Sequence, residues 1–183
     1  MEFVVILIIL AVLWILFWYI KVSNKVSAAL LKIEEAKSGI EIQLQKRYST
    51  LTQSLELAKG YAKHEQELFI GLRTVGKNIT VDEINECVKN QNQCLGKISA
   101  LSESYPELKS LEMFTNLQKQ LSEENAQFAA AKRAFNANVT AYNKFVVTVP
   151  DNVVCSMRGL SKEKYIEGEN VQDMKNISMS WNQ

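Results

Sequence analysis

From Phe3 to Ile20 the chain reads FVVILIILAVLWILFWYI, an apolar run without a charge, a glycine or a proline. As a helix rising ~1.5 Å per residue it is about 27 Å long, close to the hydrocarbon thickness of a bilayer. Trp14, Trp18 and Tyr19 gather in its C-terminal half, where amphipathic rings favour the membrane interface, and Lys21 closes it. Residues 1–22 are therefore expected to be a transmembrane anchor. The competing reading is a cleaved signal peptide. Such a peptide has a basic leading region and a shorter apolar stretch; here only Glu2 leads, although Val26-Ser27-Ala28 offers small residues at a cleavage site. A lipoprotein reading lacks a cysteine close behind the run.

Lys21, Lys25 and Lys32 follow the span, and nothing basic but the amino terminus precedes it. The excess of Lys and Arg on the inner side of single spans places the C-terminal domain on the cytoplasmic side of the membrane. Three cysteines without a framework spacing agree with a reducing compartment. A net charge of +1 removes the electrostatic case for nucleic acid.

The rest of the chain is long enough for one domain with its own core. Alternation of apolar and polar residues at period two is nearly absent, and the two prolines, Pro106 and Pro150, fall where helical patterns break. The expected fold is all-α: the anchor continues into an antiparallel bundle over residues 23–167, with three long helices and a short C-terminal one, and a mobile polar tail over 168–183. Val26, Leu30, Ile33, Ile40, Leu44, Leu51, Leu55, Ala58 and Ala62 form a heptad-like, coiled-coil-like stripe, interrupted by Lys37 and Arg47, that extends weakly through Leu68, Phe69 and Leu72. Gly76-Lys77-Asn78 breaks this helix. Thr80-Val81-Asp82-Glu83 reads as a capping box for a second, whose stripe is Ile84, Cys87, Gln91, Cys94, Ile98 and Leu101. A third helix starts at Tyr105-Pro106-Glu107 and carries Leu108, Phe114, Leu117, Leu121, Phe128, Phe135, Val139 and Val146. Pro150 ends it, and Val153, Val154, Met157 and Leu160 predict a short helix folding back.

Several segments resemble the LemA family of bacterial membrane proteins. They are Gln43-Leu44-Gln45-Lys46-Arg47-Tyr48, Lys59-Gly60-Tyr61-Ala62-Lys63-His64-Glu65, Ser104-Tyr105-Pro106-Glu107-Leu108-Lys109, Phe114, Leu117, Glu124-Asn125, Arg133-Ala134-Phe135-Asn136, Val139, Tyr142-Asn143 and Pro150. The resemblance runs over roughly residues 24 to 160 with the motifs in order. It implies a membrane-anchored helical bundle and brings no settled activity. The chain departs from the family pattern at Thr52, where a proline is usual, at Lys37 in place of a tryptophan, and at Ser23 in place of a tyrosine. Without the proline, the first helix should run straight through residue 52.

Chemistry is sparse. His64 is the only histidine, so neither a catalytic triad nor a di-iron site, which needs Glu-x-x-His twice, is supplied within one protomer. Cys87 and Cys94, about 10 Å apart along one helix, are too far for a disulfide and read as small core residues. Cys155 reads as half exposed and open to oxidation. Carboxylate pairs such as Glu34-Glu35 and Glu123-Glu124 read as solvated faces. No enzyme, cofactor, metal or small-molecule substrate is expected.

The distinctive feature is polar. Asn125, Asn136 and Asn143 return to within about 20° of one line on the third helix at ~100° per residue, and Lys132 falls close to it. Such a row either fixes helix register or forms a groove that receives a helix or peptide. Arg47, Tyr61 and Glu65, on one flank of the first stripe, are its candidate intramolecular partners. Three functions are open: a scaffold or interaction module, a self-associating membrane-remodelling protein, and a single-span signal transducer, for which little precedes the span to sense a ligand.

Overall fold

A computed structural model describes residues 1–61, 76 and 79–167. The expectations for Ala62, His64, Glu65, Leu68, Phe69, Leu72, Lys77, Asn78 and the tail at 168–183 lie outside these residues. The described chain is all-α: α1 (Glu2–Lys59), α2 (Val81–Ser104), α3 (Pro106–Ser110), α4 (Glu112–Val147) and α5 (Asp151–Met157).

α1 is one uninterrupted helix from the apolar run through the heptad-like stripe. Its first part is long and apolar enough to cross a membrane, and none of it is buried against the rest of the chain. At residue 52 the helix does not break; Thr52 Oγ1 donates back to the Tyr48 carbonyl at 2.9 Å, a bond that a proline ring would exclude. Propensity alone does not hold so long a helix in water; past the apolar run its stability comes from the burial of one face.

The chain divides into two compact units. One comprises Met1–Lys37 and Ala134–Tyr165; the other comprises Ser38–Arg133 and the segment that begins at Ile166. In the first, α1 packs with the end of α4 and with α5, burying Val22, Val26 and Ile33, then Phe135, Val139 and Tyr142, then Val154 and Cys155. In the second, α1 packs with α2 and α4. Leu51, Leu55 and Ala58 meet Cys94, Leu95, Ile98 and Leu101, and Leu108, Phe114 and Leu121 close the same core, with Tyr61 and Leu111 at its edge. Burying each large side chain here contributes about 1.5–3 kcal/mol.

The capping box forms as the sequence predicts. Glu83 N donates to Thr80 Oγ1 at 3.2 Å, and Thr80 N donates to the Glu83 carboxylate at 2.6 Å. The expected third helix is interrupted. Leu111 takes an extended backbone (φ −69°, ψ 122°) between α3 and α4, and Ser110 Oγ bonds the Glu107 carbonyl at 2.7 Å, closing the short turn on itself. Leu108 and Phe114 both remain fully buried, so the break lets two apolar side chains reach one core from different helices.

α5 also departs from expectation in its face. Val154 and Cys155 are buried, whereas Val153 and Met157 are exposed. The helix is only two turns long, and its rotation is set by the turn that enters it rather than by its own weak pattern. Cys155, expected to be half exposed, is 1% exposed. α5 ends in a Schellman motif: Gly159 has φ 67°, its amide bonds the Ser156 carbonyl at 3.1 Å, and Leu160 N reaches the Cys155 carbonyl at 2.9 Å. Only a residue without Cβ enters this left-handed conformation at low cost.

Candidate functional site

The polar face of α4 is engaged with the chain's own C-terminal segment, the non-helical residues 161–167. Asn143 grips the main chain of Glu163 at both ends: Nδ2 donates to the carbonyl at 3.0 Å, and Oδ1 accepts the amide at 2.8 Å. The Tyr142 hydroxyl donates to the Ser161 carbonyl at 2.9 Å, and Thr140 Oγ1 lies 3.4 Å from the Tyr165 hydroxyl. The segment is thus read mainly through its peptide groups, and the side chains of residues 161–165 are exposed. Burial raises the Tyr142 phenol above its ordinary range, with the Glu163 carboxylate adding to the effect. Tyr165 is lowered by hydrogen bonds from Thr140 and Asn143 that favour its phenolate.

In the same unit Arg158 reaches α1. Nη1 donates to the Ser23 carbonyl at 3.0 Å and to Ser23 Oγ at 3.1 Å, while Nη2 donates to Ser27 Oγ at 3.1 Å. Asn138 Nδ2 donates to the Lys32 carbonyl at 3.1 Å.

In the second unit, Ile166 is buried and Glu167 is held at both main-chain groups. Its amide donates to Asn85 Oδ1 at 3.1 Å, and its carbonyl accepts from Lys132 Nζ at 3.1 Å. Beside α1 and α4 lies an open groove of about 360 Å³ lined by Lys46, Ser49, Thr50, Gln120, Glu123, Glu124 and Gln127. Buried Thr50 donates to Glu124 Oε1 at 2.9 Å, and Gln120 Nε2 reaches both Thr50 Oγ1 and Glu124 Oε1 at 3.1 Å. Glu124 Oε2 is buried without a partner. On the α2 side, Gln91 Nε2 bonds the Leu44 carbonyl at 3.0 Å.

Of the residues singled out in the sequence, Asn143 and Lys132 therefore meet the C-terminal segment. Asn136 is half-buried and its carbonyl accepts from Thr140 Oγ1 at 2.9 Å; Asn125 is half-buried on the same helix. Arg47 is buried and donates to Asn92 Oδ1 on α2. Tyr61 packs at the edge of the Leu51–Leu121 core. Glu65 lies outside the described residues. Arg158, Asn85 and Thr50 escaped the sequence reading, and Tyr142 and Glu124 entered it through the family resemblance without an assigned contact. Glu124, expected on a solvated face, is instead buried because Thr50 and Gln120 bond its carboxylate. A usable signal was Gly159, whose positive φ ends α5 and turns the chain into the segment that meets α4.

The cysteines are free thiols. Burial pushes Cys94 up to about 11, and it raises Cys87, which is only partly buried, and Cys155 as well. Among the described residues no group of three His, Cys, Asp or Glu is gathered that would hold a metal ion.

An all-α bundle behind a long apolar N-terminal helix, with an extended segment laid on a polar helix face, defines the class. The LemA family model matches residues 36–180, and the chain belongs to the LemA family. A comparison with curated proteins returned no match.

Proposed function

We propose that this LemA-family protein is a membrane-anchored, non-enzymatic interaction module, with its helical domain on the cytoplasmic side. The observation that carries the reading is the continuity of α1, whose apolar run and buried stripe belong to one unbroken helix. Loss of a signal peptide at Val26-Ser27-Ala28 would remove Val22 and Ser23, both of which the folded unit uses: one is buried and the other receives Arg158. The lysines that follow the span favour the cytoplasmic side. Tethering acts by raising a partner's effective concentration at the membrane. α4 is the contact element of this reading, because its polar face already recognises an extended peptide through main-chain groups.

The test is proximity labelling in intact cells with the full chain, in parallel with Asn143→Ala and with topology fusions at the C-terminus. A reproducible set of cytoplasmic neighbours that changes on Asn143→Ala is the expected result. A neighbour set indifferent to that substitution overturns the assignment of α4, and alkaline phosphatase activity from the C-terminal fusion overturns the cytoplasmic side.

A further inference from the structure

The turn between α4 and α5 carries a group of apolar side chains that the fold leaves uncovered. Val147 is 52% exposed, Val149 74%, Val153 50% and Met157 72%. Isolated exposed apolar residues are ordinary, but four around one turn form a patch. Its position along α1 says what covers it. Asn138 meets Lys32, so the two helices are level there. From Asn138 to Val147 α4 advances by about 14 Å at ~1.5 Å per residue, and the same distance back along α1 from Lys32 reaches Ser23. Arg158, at the C-terminal end of α5, bonds Ser23 and Ser27, so α5 lies against this same stretch of α1. By this helical rise the tip at residues 148–150 comes level with about Lys21, immediately past the end of the apolar run at Ile20.

We propose that the α4–α5 hairpin is a second membrane-contacting element, with Val149, Val153 and Met157 seated in the interfacial layer of the bilayer beside the span. The inference rests on the reading of α1 as a membrane anchor. The polar layer outside the hydrocarbon is about 5–7 Å thick on each side, so a tip level with Lys21 falls within it. Trp18 and Tyr19, the interfacial aromatic residues of the span, are themselves partly covered. The charges around the tip suit an anionic surface: Lys21, Lys25 and Lys144 are exposed, Asp151 is partly buried, and exposed Glu163 lies on the α4 face held by Asn143. With two contacts rather than one, the first unit would be fixed in its rotation about the span, and a chosen face would be turned away from the lipid.

The experiment places a bimane fluorophore on Val149→Cys in the full chain, with Cys87→Ala removing the most accessible native thiol. Leu13→Cys marks the span, and Met113→Cys marks an exposed apolar position of the other unit. Each is reconstituted in phosphatidylethanolamine–phosphatidylglycerol vesicles and quenched by lipids with a nitroxide at the headgroup or high on the acyl chain, and by aqueous iodide. The expected result is at least twofold lipid quenching at positions 13 and 149, and iodide quenching alone at 113. Lipid quenching at 13 with free iodide access at 149 overturns the proposal and leaves the anchor standing. Protection of 149 from both quenchers also overturns it, because protein then covers the patch. Absence of lipid quenching at 13 overturns the anchor reading, and this proposal with it.

Discussion

The Asn143 carboxamide is matched to the peptide group of Glu163 as one strand edge is matched to another, donating to the carbonyl at 3.0 Å and accepting the amide at 2.8 Å. Asn143→Ala removes both bonds at a partly buried site, with an expected loss of about 1–2 kcal/mol of stability. Hydrogen exchange at the Glu163 amide should accelerate at the same time. Asn143→Asp retains the acceptor but not the donor, so it should keep more of that amide's protection than alanine does. Equal exchange in the wild type and in both variants would show that the segment does not depend on this contact.

Much of the scaffold was legible because it is periodic. Val26, Ile40, Leu44, Leu51, Leu55 and Ala58 were identified from spacing, and all are buried; Thr80 and Glu83 carry a local signature that needs no tertiary information. The polar row was legible as a row, since Asn125, Lys132, Asn136 and Asn143 share a helix. What lies against it was not. Residues 161–167 have no period, and they are recognised through main-chain atoms that every residue possesses. Arg158 was equally silent, because one arginine after a short helix has many surface readings. The break at Leu111 and the rotation of α5 depend on where a turn aims the next helix, which composition does not encode.

Arg158 spreads its two terminal nitrogens over Ser23 and Ser27, a span that suits a planar guanidinium. Arg158→Gln should cost about 1–3 kcal/mol. Arg158→Lys should recover only part of this, because one ammonium reaches one of the two serines. The check is denaturant unfolding of the full chain in detergent, with a probe on α5. Full rescue by lysine would mean that charge alone, rather than the fork, matters at this position.

Thr50 and Glu124 form a buried polar pair with a known direction of donation. Thr50→Val removes the donor and leaves the Glu124 carboxylate short of a partner, with an expected cost of about 1–3 kcal/mol. Glu124→Met should relieve the unpartnered Oε2 while leaving Thr50 Oγ1 only its bond from Gln120 and a longer one to the Lys46 carbonyl. The double variant should be more stable than the sum of the single losses predicts, since replacing both partners by apolar groups of similar shape is often nearly neutral. Strict additivity in this double-mutant cycle would show that the two side chains are not coupled.

Cys94 links the second core to alkaline pH. Burial of the thiol, partly offset by the nearby positive charges of Lys97 and Arg47, lifts it from 9.0 to about 11. The unfolded chain therefore releases this proton first as pH rises, and the folded state is left holding it. Stability associated with the neutral thiol is present below pH 9 and is lost progressively between about pH 9 and 11, by on the order of 1–3 kcal/mol in total. Cys94→Ala removes that titration, although it also loses some packing at every pH. The difference in unfolding free energy between wild type and Cys94→Ala should accordingly narrow across this window while both curves keep their other titrations. At pH 8 without denaturant, alkylation should modify Cys87 before Cys94, because Cys87 is partly exposed whereas Cys94 is buried. A constant difference from pH 8 to 11, or prompt alkylation of Cys94 at pH 8, would mean that the thiol is not held in the core.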